Sequence, residues 1–288
     1  MKNIFLSAAV MLTLCAGALD IAVAPLRTNA LKEASVKDQT VTGISMPGCS
    51  IDFPFKGKFA ATAGFNRAVL IVEPGPDGLM PCPGDFLFNL RNKGYKKTVD
   101  AYGAAGEKAN EIVFQLNDPP EESILIRLYP DYRQAHKGKK ISLKIKALRL
   151  EKVENAPLSY PIIKGYTRVN NCKKSAAECN VFSGIPENVG SSVILTNQAG
   201  FKPAPFTRAE LDLTVLEGNI TAAGLSLNPR KGKIQPESYA VETAPGKYTF
   251  TFAKPMESFD RILLYFNRKN TLTNKPVKFK VNRLVLIP

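Results

Sequence analysis

The stretch VKFKVNRLVL (277–286) closes the chain, and ISLKIKALRL (141–150) carries nearly the same apolar rhythm 136 residues earlier. In the earlier copy Ile141, Leu143 and Ile145 alternate with polar residues, and then the apolar positions become Leu148 and Leu150. The later copy has Val277, Phe279 and Val281, then Leu284 and Leu286. Alternation with a period of two is the signature of a half-buried strand. A slip of one residue reverses the facing of everything after it, which is what a β-bulge does. Two unrelated apolar runs would not share the slip.

Working outward, residues 111–150 align with 247–286 without a gap. Identities fall at Phe114/Phe250, Pro119/Pro255, Glu121/Glu257, Ile126/Ile262, Leu128/Leu264, Tyr129/Tyr265, Lys139/Lys275, Lys144/Lys280, Leu148/Leu284 and Leu150/Leu286. Each half shows three alternating runs. Ile112, Phe114 and Leu116 answer Tyr248, Phe250 and Phe252, and Ile126 and Leu128 answer Ile262 and Leu264. Pro and Gly punctuate the rest, as in EPGPDGLMPCPGD (73–85) and NDPP (117–120), and no long stretch has a helical period with caps. Short strands separated by turns predict an all-β chain of two tandem antiparallel β-sandwich domains of jelly-roll type. The first is expected over 42–153 and the second over 166–288, with ENAPLSYPIIKG (154–165) as the linker. Residues 25–41 are polar and expected to be flexible. The halves diverge in their first parts, where the second carries extra residues around 228–246, read as a long loop or hairpin.

The chain opens with Lys2, an apolar run from Ile4 to Leu19 and then small residues, the layout of a secretory signal peptide, read here as 1–24. Cleavage could follow Ala18, Ala24 or Ala30. Asp20 cuts the run short of the ~20 apolar residues that a span needs, and no other segment is apolar enough, so no transmembrane segment is expected in the mature chain. Without Cys15, four cysteines remain, Cys49, Cys82, Cys172 and Cys179. An even count in an exported chain reads as disulfides, with three possible connectivities. Pairing inside each half favours Cys49–Cys82 and Cys172–Cys179. A four-thiolate zinc site is the weaker reading, because neither pair has the close spacing of a zinc knuckle. A formal charge of +14 favours an acidic partner, and export makes nucleic acid the least suitable one.

The segment YTFTFAKPMESFDRILLYFNRKNTLTNKPVKFKVNRLVL (248–286) resembles the closing strands of a galactose-binding-like β-sandwich, the jelly roll of many carbohydrate-binding modules. Those modules finish on a strand of the form V-x-F-x-V-D-N-V-x-L, whose apolar places Val277, Phe279, Val281, Leu284 and Leu286 fill here. The resemblance implies a sugar-binding use. It also implies a structural calcium, but the acidic place holds Asn282 in one copy and Lys146 in the other, so no metal is expected. No cofactor is expected either.

Signals for catalysis are sparse. His136 is the only histidine and reads as a solvated loop residue; VGSSV (189–193) is not a nucleophile elbow. Glu121 and Glu122 are adjacent and would point apart on a strand. The stronger signals are for binding an anion. Tyr129 and Tyr265 fall on outward positions of their strands, where an aromatic beside cations can stack on a sugar ring and pair with its acidic group. The loops that follow are basic in both copies: Tyr132, Arg133, Lys137, Lys139 and Lys140 in the first, Arg268, Lys269 and Lys275 in the second. RKGK (230–233) is read as a third basic tip. The chain is therefore expected to be an exported, periplasmic or extracellular, non-catalytic protein that binds an acidic polysaccharide or envelope glycan. A module packing on other envelope proteins is the alternative, and a polysaccharide lyase or hydrolase the third reading.

Overall fold

The computed structural model describes residues 17–23, 26–55, 60–92, 94, 98–154, 156–197, 204–232 and 236–288. In the first half the strands are β1 (Ala18–Ile21), β2 (Arg27–Asn29), β3 (Lys32–Lys37), β4 (Thr40–Ile44), β5 (Ser50–Pro54), β6 (Ala60–Ala61), β7 (Arg67–Pro74), β8 (Leu87–Arg91), β9 (Thr98–Ala105), β10 (Glu111–Gln115), β11 (Glu122–Ser123), β12 (Leu125–Tyr129) and β13 (Lys140–Glu151). In the second they are β14 (Leu158–Ser159), β15 (Thr167–Asn170), β16 (Cys172–Glu178), β17 (Val181–Pro186), β18 (Ser192–Thr196), β19 (Phe206–Glu217), β20 (Ser226–Arg230), β21 (Ser238–Tyr239), β22 (Val241–Ala244), β23 (Lys247–Met256), β24 (Arg261–Tyr265) and β25 (Val277–Ile287). All the pairings between these strands are antiparallel.

Each half is a two-layer sandwich with its own core. The second half stacks a larger sheet, β16-β17-β25-β19-β23-β22, on a smaller one, β15-β18-β24-β20-β21. In the first half the layers are β10-β7-β13-β4-β3 and β2-β5-β12-β8-β9, and β9 pairs with both β8 and β10, so one long strand wraps from layer to layer. The alternation read from the sequence is what fills the space between layers. Ile112, Phe114, Ile126, Leu128, Leu143, Ile145, Leu148 and Leu150 lie in the first core, and Phe250, Ile262, Leu264, Val277, Phe279, Val281, Leu284 and Leu286 in the second. The shared slip is a pair of bulges. Pairing of β13 with β7 shifts between Ile145 and Ala147, and pairing of β25 with β19 passes from Val281 to Arg283. Lys146 and Asn282 are the extra residues.

The duplication runs further than the aligned forty residues. β1 lies against β13 with Leu19 opposite Leu150, and β14 lies against β25 with Leu158 opposite Leu286, the matching residue. The edge strands β3 and β16 carry the same irregularity, between Lys32 and Ser35 and between Lys173 and Ala176. Three non-glycine residues in left-handed backbone recur at a constant offset: Ala30 and Asn171, Glu33 and Lys174, Asp38 and Cys179. Positive φ is rare outside glycine, so three coincidences mark common descent of the backbone. These observations correct the expected boundaries. Within 25–41, expected to be flexible, Arg27–Asn29 and Lys32–Lys37 form β2 and β3, which pair with β5 and β4. The linker 154–165 contains β14. Most of the expected leader lies outside the described residues, but its end forms β1.

The disulfide also differs from expectation. Cys82 and Cys179 are bonded, 97 residues apart, with Cα atoms 6.3 Å apart, whereas Cys49 and Cys172 are free thiols. Neither Cys49–Cys82 nor Cys172–Cys179 forms. Pairing within each half assumed that the halves stand apart, but they dock. Cys82 precedes a 3-10 turn at Pro83–Asp85, and Cys179 sits in the β16–β17 turn, and the two meet at the junction. Gly84 in that turn packs so closely that a Cβ would stand 1.8 Å from the carbonyl oxygen of Ile162. In the second domain the position matching Gly84 is Ala223, in the 3-10 turn at Ala222–Gly224. Arg283 and Glu107 pair across the junction at 3.7 Å.

Candidate functional site

In the smaller sheets, the residues that alternate with the core ones point away from the sandwich. In the first domain they include Asp52 on β5, Arg127 and Tyr129 on β12, Asn89 and Arg91 on β8, and Asp100 and Tyr102 on β9. Register sets Arg127 between Asp52 and Asn89, and Asn89 beside Asp100. Arg127 grips Asp52 through two hydrogen bonds, Nε to Oδ1 at 2.6 Å and Nη2 to Oδ2 at 2.7 Å, and Asn29 donates to the same carboxylate at 2.9 Å. The hydrogen bond to Asp52 holds the Arg127 guanidinium above its already high ordinary pKa. Asn89 donates to Asp100 and accepts from Nε of Arg91, whose Nη2 donates to the Tyr129 hydroxyl at 2.7 Å.

The second domain repeats the last of these units. Arg230 donates from Nε to Asn228 at 3.0 Å and from Nη2 to the Tyr265 hydroxyl at 2.6 Å. Asn89, Arg91 and Tyr129 correspond to Asn228, Arg230 and Tyr265. Arg230, expected at a basic tip, is instead on the sheet face; Lys233 of that tip lies outside the described residues. The sequence comparison began at residue 111 and so missed Asn89 and Arg91. The paired NLR (89–91) and NPR (228–230) were the available signal.

The loops after Tyr129 and Tyr265 fold alike. Buried Asp131 accepts the backbone N–H of His136 at 3.0 Å, and buried Asn267 accepts that of Leu272 at 2.9 Å. Gln134 and Asn270, at matching places, both have positive φ. This geometry turns Tyr132 and Arg268 back onto the sheet face at equivalent positions. Tyr132 meets Tyr129 edge-on, with centroids 5.6 Å apart, and Arg268 lies 3.5 Å above the Tyr265 ring. Arg268 is fixed by Glu237 at 2.6 Å and Ser226 at 3.2 Å. Tyr265 is therefore a covered ring, 5% exposed beside Ile194 and Leu263, and not an open stacking platform. Tyr132 is 44% exposed.

The expected site residues thus separate into two groups. Tyr129, Tyr132 and Arg133 come together, and so do Tyr265 and Arg268. Lys137, Lys139, Lys269 and Lys275 stay on exposed loop surface, and Lys140 is exposed at the start of β13. Lys140 borders an open cleft with Glu33 and Asp77, and Lys275 donates to its own loop at Thr271. His136 is not a solvated residue: its Nε2 lies 3.1 Å from the buried Asp85 carboxylate, anchoring the loop to the turn that carries Cys82. The Asp85 carboxylate and the sulfurs of Cys82 and Cys179 lie within 4.8 Å of one another, but both thiols are spent in the disulfide and leave no thiolate for a metal.

A second cluster sits where the domains meet. Tyr102 contacts Tyr132 at 5.8 Å and Tyr166 at 6.5 Å, both edge-on, and the Arg133 guanidinium lies 4.5 Å from the Tyr166 centroid and 5.8 Å from that of Tyr102. Burial pushes the Tyr102 hydroxyl up to about 12, against the pull of the Arg133 charge. Tyr102 and Tyr166 escaped the sequence reading because neither lies in an aligned position.

Fold and faces together define a tandem β-sandwich protein with a tyrosine–arginine surface on the small sheet of each domain. No family model matches the chain, and no curated protein matches it. Among solved structures, the N-terminal CBM22-1–CBM22-2 tandem domain of Xyn10C from Paenibacillus barcinonensis is similar at a TM-score of 0.31 and 11% identity, over 94% of this chain and 93% of that one. The CBM32-1 and CBM32-2 domains of ZmpB from Clostridium perfringens are similar at 0.30 and 10%, over 93% and 94%. The likeness is one of fold, and at those scores neither names a ligand for this chain. Among the described residues no helix is long and apolar enough to cross a membrane.

Proposed function

We propose that the protein is exported and binds an anionic polysaccharide or envelope glycan, without turning it over, through the outward faces of its two small sheets. The observation that carries this reading is the duplicated Asn–Arg–Tyr unit. Each copy fixes a guanidinium beside a tyrosine on a sheet face, and a planar fork beside an aromatic suits an acidic sugar. The nearby carboxylates do not compete for that ligand, since Asp52, Asp100 and Glu237 are each already held by donors. The net charge of +14 supports the choice of an acidic partner. Glycan arrays probed at low and high salt test the proposal. Selective retention of acidic polymers, weakened by salt, is expected; no binding to any glycan at low salt refutes it.

A protein partner is the second reading, favoured by Leu216, Tyr239 and Val241, which are apolar and more than half exposed in the second domain. Association with another envelope protein that added polysaccharide leaves unchanged would support it.

A further inference from the structure

The outward faces of the two small sheets approach each other at the domain junction. Tyr102 lies on β9, the last strand of the first small sheet, at an outward position in step with Asp100. Tyr166 precedes β15, the first strand of the second small sheet, and is in step with Arg168 and Asn170. Arg168 pairs with Ile194, an outward residue of that sheet. Both rings therefore belong to the outward faces, and their contact makes the two faces neighbours across the junction. The face of β2-β5-β12-β8-β9 is thereby brought beside that of the separate sheet β15-β18-β24-β20-β21. With paired strands ~4.8 Å apart, each five-stranded face is roughly 20 Å wide. The disulfide Cys82–Cys179 and the close seat of Gly84 on Ile162 hold the two sheets in this relation.

Arg133 stands in the middle of this surface, leaning on Tyr166 from one domain and Tyr102 from the other. Its Nε is buried and has no hydrogen-bond partner among the described residues. A buried donor without an acceptor costs free energy. Beside it, Tyr132 offers the most exposed ring of the cluster.

We propose that the two faces form one ligand track across the domain junction, with a subsite for a sugar carboxylate at Arg133, built by Tyr102 and Tyr132 of the first domain and Tyr166 of the second. This rests on the anionic-glycan reading above and deepens it. A single acidic chain then runs from the Arg91–Tyr129 unit, past Arg133, to the Arg230–Tyr265 unit. Short oligomers reach one domain only. Long ones engage both, and the second contact becomes intramolecular, which raises apparent affinity by about a hundredfold without any new kind of contact.

Calorimetry on the full disulfide-bonded chain with oligogalacturonides of short and long defined length tests this. One long oligomer per protein is expected, bound about a hundredfold more tightly than a short one. Tyr166→Ala and Arg133→Gln should each cut long-chain affinity at least tenfold, while Tyr166→Phe, which keeps the ring, retains it. Circular dichroism confirms that each variant is folded. Equal affinity for short and long oligomers, or long-chain binding untouched by Tyr166→Ala, overturns the track and leaves the anionic-glycan reading standing. Binding to dextran sulfate but not to oligogalacturonides overturns the carboxylate assignment alone. Failure to bind either at low salt overturns both readings.

Discussion

The register supplies a natural control for one energetic question. Arg127 stands opposite Asp52 in the first domain, and at the matching places in the second Leu263 stands opposite Ile194. One copy of the fold uses an ion pair where the other uses two apolar side chains. Asp52 is 7% exposed. Replacing Arg127 by Leu leaves that carboxylate with Asn29 as its side-chain donor among the described residues. Breaking a buried pair on one side costs about 3–5 kcal/mol, while replacing both members by packed apolar residues is neutral or stabilising. The Arg127 side chain keeps 22% of its exposure and that of Asp52 10%, so solvent holds the cost near the lower end, about 3 kcal/mol. Asp52→Ile with Arg127→Leu should restore stability to within about 1 kcal/mol of the parent, because Ile194 and Leu263 show that this fold accepts the pair. The coupling between the two sites is then about 2–3 kcal/mol. The chain has no tryptophan, so urea unfolding is followed by far-UV circular dichroism and tyrosine fluorescence. With urea m-values of about 1–3 kcal/mol/M, Arg127→Leu lowers the midpoint of the first domain by roughly 1–3 M. A double variant as unstable as the single one refutes the reasoning, since the carboxylate would then not be the source of the cost.

Removing the disulfide by Cys82→Ala with Cys179→Ala should destabilise the chain by about 4–5 kcal/mol, the chain-entropy value for a loop of about 100 residues, shared between whichever domain unfolds first and its partner. An unchanged urea midpoint would show that docking alone fixes the junction. Stability should fall as pH rises above about 10, because the unfolded chain ionises its tyrosines near that value while Tyr102 holds its proton to about 12 and burial also raises Tyr160 and Tyr248. Here the unfolded state binds fewer protons, so the slope is negative. Midpoints that stay constant between pH 8 and 11, beside a Tyr102→Phe control, would contradict this. If the chain is exported, the mature protein should begin no later than Leu19, because cleavage after Ala24 or Ala30 would remove β1, whose counterpart β14 completes the second domain. N-terminal sequencing of secreted material decides it.

The sequence was most legible where one side of a strand is buried and the other is not. Ile126 and Leu128, or Val277 to Leu286, announce their facing through alternation, and even the bulges at Lys146 and Asn282 could be read from a shared slip. It was silent where that contrast vanishes. β3 is exposed along its whole length, so Lys32–Lys37 looks like any polar segment although Lys32 and Ser35 to Lys37 pair with β4. Loop chemistry was half legible: the basic character of 131–140 and 267–275 was visible, but not that Asp131 and Asn267 fold them so that Tyr132 and Arg268 turn inward and the lysines stay out. The disulfide was misjudged because cysteine spacing says nothing about docking between domains. Gly84 and Ile162, which make that docking close, carry no signature apart from the contact itself.

The two faces differ in a way that should be measurable. Tyr132 and Arg268 occupy one position in the fold, since their backbone N–H groups donate to Asp85 and Gly224 at 3.0 and 2.9 Å, matching carbonyls of the two 3-10 turns. Evolution of the copies has placed a ring there in one and a cation in the other, each covering the tyrosine beneath. Attraction of a part-exposed cation such as Arg268 for an acidic chain is screened within a Debye length, ~10 Å at 0.1 M salt, whereas contact with an aromatic face is hardly screened. Tyr132→Ala should therefore weaken acidic-oligomer binding by about 1 kcal/mol, roughly fivefold, at low and high salt alike. Arg268→Met, combined with Glu237→Gln so that no unpaired carboxylate is left behind, should weaken it at low salt and have little effect at high salt. Calorimetric titrations of both variants over a salt series give the slopes. Parallel slopes for the two variants would mean that the ligand does not lie on these faces, because only a ligand in contact with both residues would register the difference between a ring and a charge.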